Sequence, residues 1–258
     1  MKIVLGLLLV FLFVAVSVGG LVLVQRLIPI ERRLEHNDVA GFIYAVLGVT
    51  YAVLLGLMLV AVWQDWQAAQ TSETQEANEL AAVFWLAHGL PQPEGRHIQE
   101  LARSYARVEV TKEWPLMQHG KTSPKPYELL DGMKASVEAI HPTDEAQAAL
   151  YSNELERLHE LGDARRARLL EAEQGLPAIL WAVLLVGGVI TVGFTYLFGL
   201  RSTTVHVLMV AALALVIGLV LFTVAALDFP FRGAVHIGPE AFEQALGRFE
   251  NTKLSDLR

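Results

Sequence analysis

Residues 36–66, HNDVAGFIYAVLGVTYAVLLGLMLVAVWQDW, decide the fold of this chain. Residues 39–63 carry no charge, and such a run is long enough for an α-helix to cross the hydrocarbon core of a bilayer. Two stripes recur along it at helical spacing. The small stripe is Gly41, Ala45, Gly48, Ala52 and Gly56, and the apolar stripe is Phe42, Val46, Val49, Val53 and Leu57. The segment therefore predicts a transmembrane helix with two distinct faces.

The two stripes suggest different roles. Small residues let helix backbones approach closely in lipid, where association depends on packing rather than on the hydrophobic effect. We therefore interpret the small stripe as a helix-packing surface. The apolar stripe, together with Thr50, supplies the candidates for a pore lining or gate. For Thr50 and the other polar groups inside the spans, a hydrogen bond between helices remains the alternative to pore lining.

The composition places the chain among membrane proteins. Of its 258 residues, 53% are hydrophobic, and the mean hydropathy is +0.42, which is too apolar for an ordinary soluble fold of this size. The absence of cysteine excludes disulfides, thiolate metal sites and cysteine nucleophiles. The net charge of -7 argues against a nucleic-acid partner, because phosphate binding needs a basic face.

Three further segments have the length and composition of spans. Residues 3–24 form a first uncharged run, and Pro29 ends it. We interpret this run as a retained helix, with a cleaved signal peptide as the alternative, although its apolar part is longer than a usual signal sequence. Residues 175–200 give a third span with Pro177 in its first turn, and residues 207–227 give a fourth.

The predicted fold class is all-α, a polytopic protein with four transmembrane helices and an extramembrane helical domain between spans 2 and 3. The predicted organisation has four parts. Residues 1–63 hold the first two spans and a basic connector, 64–174 the helical domain, 175–227 the last two spans, and 228–258 an amphipathic tail. The helical domain is acidic, since it holds 11 Lys/Arg against 19 Asp/Glu.

Some helix boundaries in the polar regions are also predicted. The second span should continue beyond residue 63 as one long rod, because nothing stops a helix before Gly89. Thr143 or Asp144 should start the last long helix of the domain. A small amphipathic helix is expected over residues 239–249.

The polar triplet His36, Asn37 and Asp38 directly precedes the second span. One interpretation is that Asn37 or Asp38 caps this helix by accepting its free amide hydrogens. The other is that these side chains line a vestibule or bind an ion. Both interpretations remain open from the sequence.

Motifs for catalysis are not present, and the sequence predicts no enzyme, cofactor or metal site. His159 and Glu160 begin a zinc-protease pattern, but Asp163 occupies the position of its second histidine. The four spans also contain no acidic or basic residue. Ion-coupled transporters usually need one, whereas a channel can use an apolar constriction.

Four stretches resemble one family. They are HNDVAGFIYAVLGVTYAVLL at 36–55, EANELAAVFWLAHGLP at 76–91, EWPLM at 113–117, and LDFPFRG with IGPEAF at 227–233 and 237–242. Together they are similar to the bacterial bestrophin-like domain family, whose members have four spans. The resemblance implies a pentamer around a pore lined by the second span, cytoplasmic termini and central domain, and permeation of anions. A bestrophin neck carries several bulky apolar side chains, whereas Phe42 is the only phenylalanine of this span.

Two hypotheses for function follow. The first is an oligomeric, channel-like protein of the cell (inner) membrane that conducts small inorganic anions and has the lipid bilayer and copies of itself as partners. The second is a non-conducting scaffold or sensor, whose acidic helical domain binds a partner protein while its spans anchor and oligomerise it.

Overall fold

The computed structural model describes residues 2–233 and 235–251, and within these two ranges it contains helices and no strand. The helices are α1 (Lys2–Leu27), α2 (Ile30–Leu34), α3 (Asn37–Leu86), α4 (Glu94–Val108), α5 (Trp114–Met117), α6 (Lys125–Glu138), α7 (Glu145–Glu173), α8 (Ala178–Phe194), α9 (Thr203–Leu227) and α10 (Glu240–Asn251). The predicted all-α class is therefore confirmed.

Four helical stretches are long and apolar enough to cross a membrane: α1, α3, the stretch Glu145–Leu197 that contains α8, and α9. This confirms the four predicted spans, with one correction to the third. Pro177 is the N-cap residue of α8 and not part of its first turn, because its ψ of 141° is extended rather than helical. At the other end, α8 tightens into a 3₁₀ turn over Thr195–Leu197.

Helix α3 runs without interruption for 50 residues. The predicted long rod is confirmed, since the helix ends in a 3₁₀ turn at Ala87–Gly89, next to the predicted stop. Its polar half is rich in alanine, glutamine and glutamate, which favour helix, and contains neither glycine nor proline. The helix contributes residues to two compact units of the fold.

The membrane unit comprises residues 2–64 and 175–228. Helix α1 packs along α9, and α3 meets α8. The connector between α1 and α3 meets the turn after α8, where Gly199 lies so close to the backbone of Arg33 and Leu34 that an added Cβ would fall 2.7 Å from the Leu34 nitrogen. A side chain at this position would push the two segments apart.

The extramembrane unit comprises residues 65–174 and 229–251. Helix α4 packs against α6, and α6 packs against α7. The predicted amphipathic helix is present as α10, whose Phe242 and Phe249 are fully buried in the core of this unit. Phe249 stacks on Phe84 at 4.1 Å between ring centroids. Residues 252–258 of the predicted tail lie outside the described residues.

Helix α7 begins where the sequence predicts. The side chain of Asp144 accepts a hydrogen bond of 2.7 Å from the backbone N–H of Gln147, which is the geometry of an N-cap. The cap satisfies one of the free amide groups in the first turn of the helix. The choice between Thr143 and Asp144 is thus resolved in favour of Asp144.

Candidate functional site

Tyr51 orients α3 within the membrane unit. Its side chain is 6% exposed, and its hydroxyl donates a hydrogen bond of 2.9 Å to the carbonyl of Leu184 in α8. Its ring occupies the space left by two glycines of α8: a Cβ at Gly187 would lie 2.7 Å from the ring, and one at Gly188 would lie 2.9 Å from the hydroxyl. The face of α3 that carries Tyr51 therefore meets the other spans of the same chain.

The apolar stripe lies on the opposite side of α3. Val49 and Val53 are each two residues from Tyr51, which turns them about 200° around the helix axis. Every member of the stripe is exposed in the single chain, from Phe42 at 75% to Val53 at 56%. The structure brings these candidates together on one uncharged face that no other helix of the described chain covers.

The small stripe lies on the flank of α3, between the Tyr51 face and the apolar stripe. An added Cβ at Gly48 or Gly56 would meet nothing within 4 Å, and one at Gly41 would only touch the Phe198 ring at 4.0 Å. Ala45 and Ala52 are exposed. The small stripe therefore packs against no helix of its own chain, and its predicted packing role requires a helix from another molecule.

The hydroxyl groups of the spans bond mostly to their own helices. Thr50 donates to the carbonyl of Val46 at 2.8 Å, Thr191 to Gly187 at 2.7 Å, and Thr223 to Leu219 at 2.9 Å. Thr50 remains exposed on the outward side of α3 with its oxygen lone pairs available. Tyr51 thus makes a hydrogen bond between helices, whereas within the described chain Thr50 bonds to its own helix.

Asn37 has a different role from the two that the sequence suggested. Its side-chain amide donates to the carbonyl of Gly199 and accepts from the N–H of Gly199, both at 2.9 Å. The prediction that Asn37 caps its own helix is therefore wrong, because both ends of its amide are bonded to the turn after α8. His36 and Asp38 are exposed. The cap by Asp38 and the place of these side chains in a vestibule both stay predictions.

The extramembrane unit contains a group of charges that sequence reasoning missed. Glu76, Glu109, Glu113, Arg165 and Arg168 are all fully buried, and we refer to them as the buried ion cluster. The missed signal is register: Arg165 and Arg168 continue, at helical spacing, the buried side of α7 that begins with Leu158 and Leu161.

Arg168 is bonded through all three of its guanidinium nitrogens. Nε donates to Glu76 at 2.5 Å, Nη2 donates to Glu76 at 3.0 Å and to Glu109 at 2.8 Å, and Nη1 contacts the Met117 sulfur at 2.9 Å. The Trp114 ring lies 4.6 Å from the guanidinium carbon. Arg168 thus joins α3, the turn that follows α4, and α5 to α7.

Arg165 completes the cluster from one turn earlier in α7. It donates to Glu109 at 2.5 Å and to Glu113 at 3.0 Å. Both glutamates lie on a π-helical turn, Glu109–Glu113, that follows α4. A π-helical turn is wider than an α-helical one, so residues four apart lie on the same side of it. The carboxylates of Glu109 and Glu113 therefore both reach the Arg165 guanidinium.

Three carboxylates face two guanidinium groups in the cluster, so one retained proton would balance the charge. Burial raises the pKa of Glu109 to about 8, with Glu76 and Glu113 acting in the same direction and Arg168 and Arg165 opposing it. Tyr105 also donates a hydrogen bond of 2.6 Å to Glu76. The carboxylates and guanidinium groups of the cluster are bonded mainly to one another, and Arg165 Nε is buried without a partner.

Glu154 is a second buried acid of the extramembrane unit. It lies on α7 with no exposed surface, and neither carboxylate oxygen has a hydrogen-bond partner. Burial alone raises the pKa of Glu154 to about 8. In the described residues, no group of histidine, aspartate and glutamate side chains is arranged to hold a metal ion.

Comparisons with known proteins agree with this architecture. The family model described as Bestrophin-like domain matches residues 11–242. Among solved structures, the chain is similar to a mutant of a bacterial bestrophin homologue from Klebsiella pneumoniae, with a TM-score of 0.72 and 13% identity over 94% of this chain and 99% of that chain. A mutant described as a membrane protein matches with a TM-score of 0.67 and 15% identity, over 96% of this chain and 98% of that chain.

A third structure, a Klebsiella pneumoniae bestrophin homologue phased with zinc, gives a TM-score of 0.65 and 15% identity over 98% of this chain and 100% of that chain. The comparison with curated proteins finds no match. Identities this low show a shared fold, and the family model, which spans most of the chain, shows the family. The chain belongs to the Bestrophin-like domain family.

Proposed function

We propose that this protein assembles into a homo-oligomer, a pentamer by analogy with bestrophins, and conducts small anions through a central pore lined by α3. The observation that carries this proposal is the unpartnered outward side of α3. Its apolar stripe and its small stripe are both free of contacts with other helices of the described chain. Membership in the Bestrophin-like domain family supports the same reading.

The order of the faces around α3 suits a ring of subunits. The Tyr51 face meets α8 of the same chain, and the apolar stripe lies about 200° away. The small stripe lies on the flank between them, where a neighbouring subunit would approach. Close approach through glycine and alanine is a recurrent way for helices to associate in lipid. The apolar stripe would then face the axis of the ring.

An apolar lining is compatible with a gated pore. A ring of valine and leucine side chains can exclude water when it is narrow, and this dewetting stops ions without any charged group. The residues proposed for this ring are Phe42, Val46, Val49, Val53 and Leu57. Thr50 lies beside this ring, and its hydroxyl donates a hydrogen bond to the Val46 carbonyl.

Ion flux into liposomes tests the proposal. The purified protein is first weighed by native mass spectrometry to establish its oligomeric state, and is then tested with chloride and potassium gradients separately. We expect chloride flux that rises severalfold in Val53→Ser, because a hydroxyl wets the constriction. Val186→Ser is the matched control, since Val186 is an exposed valine of α8 outside the proposed lining.

Each other outcome overturns part of the proposal. Potassium flux without chloride flux would retain the pore and contradict anion conduction. An oligomer that passes neither ion, even with Val53→Ser, would contradict the channel and favour the scaffold. A monomer under mild conditions would contradict the assembly itself.

A further inference from the structure

Arg33 is a buried cation of the membrane unit whose charge is uncompensated. It lies on α2, in the connector between the first two spans, and is 7% exposed. Its Nη1 donates one long hydrogen bond, 3.4 Å, to the carbonyl of Phe198, and its Nε is buried without a partner. None of the ion pairs among the described residues includes Arg33.

Such a charge is costly to keep. A guanidinium withdrawn from water loses its hydration, and only a counter-charge with good hydrogen bonds offsets the loss. The acidic side chains closest in sequence, Glu31 and Glu35, are exposed and make no ion pair with Arg33. The contrast with the buried ion cluster, where both arginines are paired with glutamates, is direct.

The other polar groups around Arg33 are occupied with one another. Asn37 is bonded twice to Gly199. The two ring nitrogens of His206 lie 3.0 Å from the Thr195 carbonyl and 3.2 Å from the Gln25 side-chain nitrogen. The Asn37 bonds hold the start of α3 against the turn after α8, and the His206 contacts join α9 to α1 and to Thr195. None of these contacts brings a negative charge.

An apolar cavity of about 330 Å³ adjoins this place. Arg33 bonds to the backbone of Phe198, and the same residue lines the cavity. The Tyr44 ring packs against Phe198 at 5.6 Å between centroids. The lining is completed by Leu200, Met209, Val210 and Leu213, with Thr195 and His206 as the polar members.

We propose that this end of the membrane unit binds an anionic phospholipid, with Arg33 on the phosphate and an acyl chain in the apolar cavity. Arginine binds phosphate through two parallel hydrogen bonds, and basic pockets between spans are known to take lipid headgroups. An anion would compensate the charge of Arg33, and a hydrocarbon chain suits the apolar lining of the adjoining cavity. An anionic lipid supplies both in one molecule, and the bilayer surrounds the spans with such molecules.

Native mass spectrometry of the delipidated full-length protein tests this site. The probes are phosphatidylglycerol, phosphatidylcholine and inorganic phosphate, each added separately in detergent. We expect preferential retention of phosphatidylglycerol over phosphatidylcholine, and a loss of that preference by about tenfold in Arg33→Gln, as a lost charge-assisted hydrogen bond implies. Arg32→Gln is the matched control, because Arg32 is the neighbouring exposed arginine, and it should bind as the natural protein does.

A second pair of variants tests the cavity. Leu213→Trp fills it and should lower phosphatidylglycerol retention while leaving the charge at Arg33 in place. Leu215→Trp, on the exposed side of the same helix, should have no such effect. Arg33→Lys keeps the charge and should keep the lipid preference, which provides a folded comparison if Arg33→Gln is unstable.

Two results would overturn the proposal. The first is an unchanged phosphatidylglycerol preference in Arg33→Gln. The second is binding of inorganic phosphate that depends on Arg33, combined with lipid binding that is insensitive to Leu213→Trp. That combination would indicate a site for a free anion rather than for a lipid.

Discussion

Arg168 is an arginine with no exposed surface, and it is tolerated because every one of its nitrogens has a partner. The desolvation of such a charge is offset only while its carboxylates are present. Glu76 and Glu109 supply them from two different helices. Removing the arginine leaves these carboxylates buried and unpaired, so the cost is far larger than that of a surface ion pair.

We therefore expect Arg168→Met to lower the free energy of unfolding by about 3–5 kcal/mol, as for other broken buried ion pairs. Arg166→Met is the matched control two residues away, because Arg166 pairs with Asp163 at the exposed surface of the same helix. Thermal unfolding in detergent, followed by circular dichroism, measures both. Equal midpoints for the two variants would contradict the stabilising role of the cluster.

Glu154 makes stability depend on pH. Its pKa is raised from 4.5 to about 8 by burial, so the folded protein holds a proton that the unfolded chain releases. Between these two values, stability falls as pH rises, by about 1.4 kcal/mol per pH unit for one proton. Below pH 4.5 both states are protonated, and above pH 8 both are ionised, so the contribution is constant outside this window.

Glu154→Gln should remove the part of the pH dependence of stability that comes from the ionisation of Glu154. We expect its thermal midpoint to fall less between pH 5 and pH 8 than that of the natural protein, and to be higher at pH 8. Glu156→Gln, at an exposed position on the same helix, should leave the slope unchanged. If both variants show the natural slope, Glu154 does not titrate in this window.

At the scale of the element, α3 has three faces. The Tyr51 face contacts α8, whereas the small stripe and the apolar stripe contact no other helix of the described chain. The contact face depends on glycines in α8 that leave room for Tyr51. In α3 itself, a Cβ added at Gly48 or Gly56 would meet no atom of the described chain within 4 Å. The same residue type therefore has two functions in two spans. In α8 it permits packing within the subunit, and in α3 it is available for packing between subunits.

This difference predicts that two similar substitutions affect different properties, one the assembly of the oligomer and the other the folding of the subunit. Gly48→Leu meets open space, so the subunit should fold and the oligomer should fail to form. Gly188→Leu places its Cβ 2.9 Å from the Tyr51 hydroxyl, so folding of the subunit itself should suffer. Native mass spectrometry reports assembly, and thermal unfolding reports folding. Loss of folding in Gly48→Leu would contradict the assignment of the faces.

Features that depend on local sequence could be predicted, whereas contacts between residues far apart in the sequence could not. The spans follow from uncharged runs, and the start of α7 follows from Asp144, whose cap is a local interaction. The partner of Asn37 could not be predicted, because Gly199 is far away in the sequence and only the fold brings it near. Arg165 and Arg168 were recognisable as charges in the register of a buried stripe, although their glutamate partners were not.

At the scale of the whole molecule, the four-span layout and the family follow from the sequence, and the composition of the extramembrane core does not. The sequence presents residues after the fourth span as a tail. Contacts instead place Phe231, Phe242 and Phe249 in the core formed by α3, α4 and α7. Nothing local marks them as core residues, since an amphipathic helix can cover any apolar surface.

The shared core has a consequence for the order of events during synthesis. Phe242 and Phe249 are fully buried, but the ribosome adds them only after α8 and α9 have been made. The core of the extramembrane unit therefore cannot be complete until both of the last spans have been synthesised. Completion of the core thereby marks a chain whose four spans have all been made.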